Sequence, residues 1–147
     1  ASVRIATDKF PFGSGLGTFG SWMSKVNYSD IYYEYGVSDY RGLSPQDDRY
    51  LNDTYWPMII GEFGFIGAIG ILCFYILLMK KLVGLIRGTL NSGSLYLTIA
   101  FAVFLELFIE SFSSPALSRS PQVFIVMAFL GILMSYSIQT PKILRFK

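Results

Sequence analysis

The sequence predicts an all-α, polytopic integral membrane protein, and three observations predict it. Residues 58–79 run for twenty-two positions with one ionisable side chain, Glu62, before the pair Lys80-Lys81. Two further apolar runs follow at 95–112 and 123–138. Apolar residues make up 52% of the chain, aromatic ones 17%, and the mean hydropathy is +0.47, values high for a domain that meets water on every side. About 20 apolar residues cross a hydrocarbon core of roughly 30 Å, and a lysine pair marks the cytoplasmic end of such a span.

In chain order, Val3, Ile5 and Ala6 are the apolar positions of a short segment ending near Phe10, readable either as a helix end or as an extended stub. Pro11 breaks it. Gly13, Gly15, Gly17 and Gly20 follow within ten residues, a density that permits close backbone approach to a neighbour or ligand. From 22 to 50 neither a helical nor an alternating period persists, as in a loop with short helical turns. Ser44-Pro45 with Asp47 resembles a helix start, with Ser44 as N-cap and Pro45 at the first position. Three spans follow, at 58–79, 95–112 and 123–140, the last extendable through Ile143-Leu144. Two regions result: an extracytoplasmic head, 1–56, and a three-helix transmembrane region, 57–147. The chain begins Ala1-Ser2-Val3-Arg4, and we read it as part of a larger multi-span protein with further spans upstream.

Charge sets the orientation. Lys80, Lys81 and Arg87 follow the first span with no acid among them, and Lys142, Arg145 and Lys147 close the chain. Basic residues of this kind stay cytoplasmic, so the first helix runs outside to inside and the third ends inside. The head and the loop carrying Arg119 then share the outer side, where Arg119 can approach the head. Seven acids in the head outnumber its five bases, which excludes a nucleic-acid footprint. The absence of histidine from these 147 residues removes Ser-His-Asp and Cys-His catalysis and histidine metal sites from them. Cys73 lies within the first span and reads as a small packing residue.

Gly15-Leu16-Gly17-Thr18-Phe19-Gly20 fits the GxGxxG spacing of dinucleotide-binding turns, but no buried strand precedes it and no βαβ pattern follows. Gly61, Gly64, Gly67 and Gly70 recur every third residue, a smooth band suited to close helix packing. The loop from Phe10 through Pro11, Gly13, Gly15 and Gly17 to Gly20, taken with the junction from Asp53 through Tyr55, Trp56 and Gly61 to Gly67, resembles the C-terminal part of bacterial O-antigen polymerases and O-antigen ligases. In that family a Pro-x-x-Gly-x-Gly-like element enters a large periplasmic loop, matched here by Pro11, Gly13, Gly15 and Gly17. A polar pair precedes a helix bearing Gly-x-x-Gly, matched by Gly64 and Gly67. The ligase branch carries a histidine nine or ten residues before that first glycine, and here the acid Asp53, eleven residues before Gly64, is taken to stand in its place. The departure favours the polymerase branch.

The resemblance implies glycosyl transfer at the outer face of the bacterial inner membrane, from a polyprenyl-diphosphate-linked oligosaccharide to a hydroxyl of a new lipid-linked repeat unit. The polymer would be O-antigen, capsule or exopolysaccharide. No metal or nucleotide cofactor is implied, since the diphosphate is already a leaving group. The family carries functional arginines before the glycine loop and in the periplasmic loop, which points to Arg4 and to Arg41 or Arg49. A guanidinium fork suits the charge that builds on a departing diphosphate. Without histidine the general-base candidates are carboxylates, Asp53 first, then Asp47, Asp48 and Glu62, the last reading equally as a first-turn acid of the helix. Arg41, Arg49 and Asp53 are therefore the catalytic candidates, and Arg4, Gly15, Gly17, Tyr55 and Trp56 the substrate-binding ones. The many tyrosines of the head suit sugar stacking or an interfacial belt equally. Glu106 and Glu110, one turn apart in the second span, must face protein or water. Expected partners are membrane lipid, the upstream helices of the same protein and other polysaccharide assembly proteins. Ligation to lipid A core is the rival within the class, and a noncatalytic subunit of an export complex is the rival outside it.

Overall fold

A computed structural model describes residues 1–88, 93–118 and 121–143, and all regular structure in them is helical. The elements are α1 (Ser2–Asp8), α2 (Trp22–Val26), α3 (Asp30–Glu34), α4 (Tyr55–Gly88), α5 (Gly93–Glu110), a 3-10 turn (Ala116–Ser118) and α6 (Gln122–Ile143). Contacts divide them into two compact units. The first holds Ala1–Cys73 with Glu110–Pro115, and the second holds Phe74–Ile109 and the residues from Ala116 onward.

In the first unit the ambiguous N-terminal segment is a helix. It turns Ile5 and Ala6 inward, and Ile5 joins Phe19, Tyr32, Val37 and Leu51 in a core on which Tyr28, Ile31, Tyr35 and Leu43 pack. Each such side chain contributes about 1.5–3 kcal/mol by leaving water, the main force holding a segment with so little regular structure. The two five-residue helices start at serines: Ser21 Oγ accepts from Ser24 N–H (3.3 Å) and Ser29 Oγ from Ile31 N–H (3.4 Å). Ion pairs tie distant segments, Lys9 to Glu34 (3.3 Å) and Lys25 to Asp48 (3.5 Å).

Ser44 does not start a helix. Its hydroxyl accepts from Asp47 N–H at 3.1 Å, as an N-cap would, but the chain closes a turn there, with a lone bridge between Ser44 and Asp47. Arg49 folds back onto Asp47, and Tyr50 N–H donates to Gly42 C=O at 2.9 Å. These bonds close the loop before a second helical turn can form.

Among the described residues one helix, Tyr55–Gly88, is long and apolar enough to cross a membrane, with a mean hydropathy of 2.1 over an 18-residue stretch of it, and a shorter apolar helical stretch occupies Val123–Ser135. The helix does not end at Lys80-Lys81 but continues through them to Gly88. It is also interrupted: Gly64 has φ 68° and ψ −173°, a backbone region open essentially to glycine. Residues 65–88 beyond the break, twenty-four in all, extend about 36 Å at 1.5 Å per residue, enough to cross a bilayer core.

In the second unit α5 buries Leu97, Ala100, Phe104 and Leu107, spaced three and four apart so that they form one stripe. Tyr75 of α4 sets its ring against Phe104 (5.9 Å) and Phe108 (6.0 Å), and α6 packs on the 3-10 turn. Glu106 lies off the buried stripe and is exposed. Arg119 and the side chains of Lys142, Arg145 and Lys147, on which the inferred orientation partly rests, lie outside the described residues.

Candidate functional site

The break at Gly64 interrupts the i→i+4 ladder, and the carbonyls of the preceding turn are taken up by the glycine loop. Ser14 N–H donates to Gly61 C=O (2.9 Å), Gly15 N–H to Glu62 C=O (3.0 Å), and Ser14 Oγ adds a second bond to Gly61 C=O (3.1 Å). Backbone lies directly on backbone. A Cβ at Gly13 would come within 2.5 Å of Gly61 O and Gly64 N, and one at Gly64 would strike Pro11 O and Gly13 N. Gly13 also has φ 73°, so both the space and the conformation demand glycine. Gly61 and Gly64 therefore do not form a surface for another helix: Gly61 faces Phe19 and Gly64 faces the loop. Gly67 meets Phe63 of its own helix, and Gly70 meets open space.

Glu62 is not a first-turn acid. It is the eighth residue of α4, is buried, and accepts the Phe19 N–H on Oε1 at 3.1 Å. The adjacent Gly20 N–H donates to Tyr32 Oη (2.8 Å), which shares a further bond of 2.8 Å with Ser24 Oγ. Burial raises the Tyr32 hydroxyl above the ordinary tyrosine value, against the opposing effect of those bonds, so it stays a neutral donor and acceptor. Successive loop N–H groups are thus anchored on one side chain from α4 and one from α3. The sequence signal for this was a lone acid two residues before a glycine in an apolar run.

The predicted site residues fall into three situations. Arg49 is engaged: it grips Asp47 with two bonds, Nε to Oδ1 at 2.7 Å and Nη2 to Oδ2 at 2.9 Å, and lies over the Tyr50 ring at 5.7 Å. The pair holds the Asp47 carboxyl below the usual range and raises Arg49 above its own; Arg41 acts on Asp47 in the same direction from further off. Arg4 sits apart from these, beside Asp8 (3.8 Å) and over the Tyr35 ring (5.5 Å). Arg41 and Asp53 are exposed, with no hydrogen bond or ion pair among the described residues. Arg41 is the one base of the head in that state there. The structure therefore pairs Arg49 with Asp47, and gives Arg4, Arg41 and Asp53 no direct contact with them among the described residues.

Tyr55 is buried, edge-on to Trp56 at 5.5 Å. Trp56 donates from Nε1 to Ser111 Oγ (3.0 Å) and stacks on Phe112 at 5.6 Å, so its ring is held by protein. Gly15 is exposed, its N–H bonded to Glu62 C=O, and Gly17 is half-buried, where a Cβ would lie 3.4 Å from Met23 Cβ. Glu110 takes the Ser114 hydroxyl at 3.0 Å. A cleft of about 420 Å³, within the range of small-ligand sites, opens in the head, with Tyr32, Tyr40, Tyr50, Leu51 and Thr54 in its lining. None of Arg41, Arg49 and Asp53 lines it, but each adjoins in sequence a residue that does: Tyr40, Tyr50 and Thr54. The chain matches no protein-family model, no curated protein and no solved structure.

Proposed function

We propose that this chain is the C-terminal part of a bacterial inner-membrane polysaccharide polymerase of the O-antigen polymerase type. Its three spans, 58–79, 95–112 and 123–140, would carry a periplasmic head that works on polyprenyl-diphosphate-linked oligosaccharide. The observation that carries this reading is the junction. The two glycine elements on which the resemblance rests are bonded to each other through Ser14, Gly15, Gly61 and Glu62, at the break in α4 immediately before its apolar residues 65–88. A head fixed there stands at the membrane surface, where a lipid-linked diphosphate presents its sugar.

In the reaction, an acceptor hydroxyl oxygen attacks the anomeric carbon, the bond from that carbon to the diphosphate oxygen breaks, and the diphosphate leaves with the electron pair. The hydroxyl proton passes to Asp53, whose exposed carboxylate has no partner to displace among the described residues. Arg41, exposed and without an ion-pair partner among the described residues, meets the diphosphate. Arg49 instead holds the 41–53 loop through Asp47. The cleft beside these residues accepts a sugar ring against Tyr40 and Tyr50.

The test uses the full-length protein in a strain lacking its own polymerase, with Arg41→Lys and Asp53→Asn compared at matched membrane abundance. Both should shorten or abolish the polymer ladder on gels, because lysine loses the bidentate fork and asparagine cannot take a proton. Single-repeat product from Asp53→Asn supports a polymerase, whereas long lipid-linked chains left unattached indicate a ligase. Normal ladders from both variants would remove the site assignment.

A further inference from the structure

Residues 10–24 contain no charged side chain, although charged residues stand on both sides at Lys9 and Lys25. The same stretch carries four large apolar groups more than 60% exposed: Phe10 (66%), Phe12 (72%), Leu16 (75%) and Trp22 (64%). Large apolar groups exposed together on one uncharged stretch mark a surface that meets a partner or a membrane. Its backbone is unusual for an exposed loop as well. The N–H groups of Gly13, Ser14, Gly15, Phe19 and Gly20 are all bonded within the protein, and Thr18 Oγ1 closes the tip onto Gly15 C=O at 2.6 Å. Irregular backbone enters a low-dielectric medium only when its polar groups are satisfied internally, and this loop meets that condition at those positions.

Its level is fixed too. Ser14 and Gly15 bond to Gly61 and Glu62, immediately before the apolar helix of residues 65–88. Lys9 and Lys25, at the two ends of the uncharged stretch, are held by Glu34 and Asp48. The geometry points to a membrane-inserting loop: Phe12 and Leu16 enter the acyl region of the outer leaflet beside the break in α4, Phe10 and Trp22 lie at its headgroup boundary, and Lys9 and Lys25 mark the water side. The occupant of this surface is bilayer lipid. The inference rests on α4 crossing the membrane with the head outside.

The experiment takes the full-length protein in a Cys73→Ser background, reconstituted in phosphatidylcholine–phosphatidylglycerol vesicles. Nitroxide labels are attached at Phe12→Cys and Leu16→Cys, positions whose exposure leaves the core untouched. Ile69→Cys, on an exposed face of α4, is the bilayer reference, and Asp39→Cys is the aqueous one. Collision with oxygen and with a water-soluble nickel chelate is read from power saturation. The loop labels should favour oxygen over nickel several-fold more than Asp39 does, and less than Ile69 does. Loop labels that match Asp39, or that are shielded from both reagents while Ile69 favours oxygen, would overturn the inference and leave the spanning helix standing. An Ile69 label that itself matches Asp39 would remove the spanning helix, and the inserting loop with it.

Discussion

The glycine junction and the 41–53 loop stand in the same unit and are built on opposite principles. At the junction, backbone lies on backbone, with Gly13 and Gly64 each occupying space that a Cβ would need. In the 41–53 loop, side chains do the holding: Asp47 and Arg49 at 2.7 Å, Tyr50 against Gly42, and Arg41 and Asp53 open to solvent. A junction made of main chain has no adjustable part, whereas a loop made of charged pairs can exchange partners with an incoming anion. Substitutions should therefore separate into those that remove the protein and those that change its chemistry.

Gly64→Ala should have the largest effect. An alanine there adopts a backbone region costing about 1–3 kcal/mol and also meets Pro11 O and Gly13 N, so the total loss should be about 3 kcal/mol or more. Gly13→Ala should behave alike, since its Cβ would lie 2.5 Å from Gly64 N. Membrane abundance and the melting temperature in detergent should collapse together for both variants. Wild-type melting from either one would mean that the junction is looser than its contacts require.

Glu62 comes next, because it joins the two principles: a side chain serving the backbone. Glu62→Ala leaves the buried Phe19 N–H without its acceptor, a loss of about 1–3 kcal/mol, while Glu62→Gln keeps an oxygen in place and should cost about half as much. Thermal unfolding of the two variants side by side measures the difference. Equal losses would place the Glu62 effect in packing rather than in the hydrogen bond.

These two positions also mark what the sequence disclosed. Helical content was legible from the apolar runs at 58–79, 95–112 and 123–138, since period and length are local properties. The break at Gly64 was not, because glycine every third residue reads equally as a packing band, and only the loop fifty residues earlier decides between them. Glu62 was misjudged for the same reason: Phe19 is a partner that no spacing announces. Ser44 shows the reverse case, a correct local signal for a capped turn with no helix behind it, because Arg49 and Tyr50 close the loop first. Among the site candidates, residue type singled out the arginines, but which of them is already occupied depended on Asp47, two residues from Arg49 and unremarkable in a run of acids.

Gly70→Ala sharpens the contrast from the other side. Gly70 lies six residues beyond Gly64 on the same helix and has nothing within 4 Å of a Cβ position. Alanine there should raise helix stability by up to about 1 kcal/mol, seen as a small increase in melting temperature. A decrease would show that another helix packs on that face, as the glycine band suggests, and would extend the demand for glycine beyond the junction.

The smallest effects belong to the Asp47–Arg49 pair, a half-buried carboxylate gripped by an exposed guanidinium, and their pH dependence has a definite sign. The Asp47 carboxyl is lowered in the folded protein, first by the hydrogen bonds from Arg49 and then by its charge. A lowered carboxyl contributes stability that is fully present above the ordinary aspartate value of about 3.9 and is lost as pH falls through the lower folded value. Arg49 stays charged throughout that window. Asp47→Asn should therefore lower melting slightly at neutral pH, where that contribution is fully present, and flatten the small wild-type decline below about pH 4. Arg49→Lys should likewise keep polymer ladders at normal length where Arg41→Lys does not, because Arg49 spends its fork on Asp47. Shortened ladders from Arg49→Lys at unchanged melting temperature would make Arg49 a substrate contact, and the 41–53 loop would then hold two anion-binding arginines rather than one.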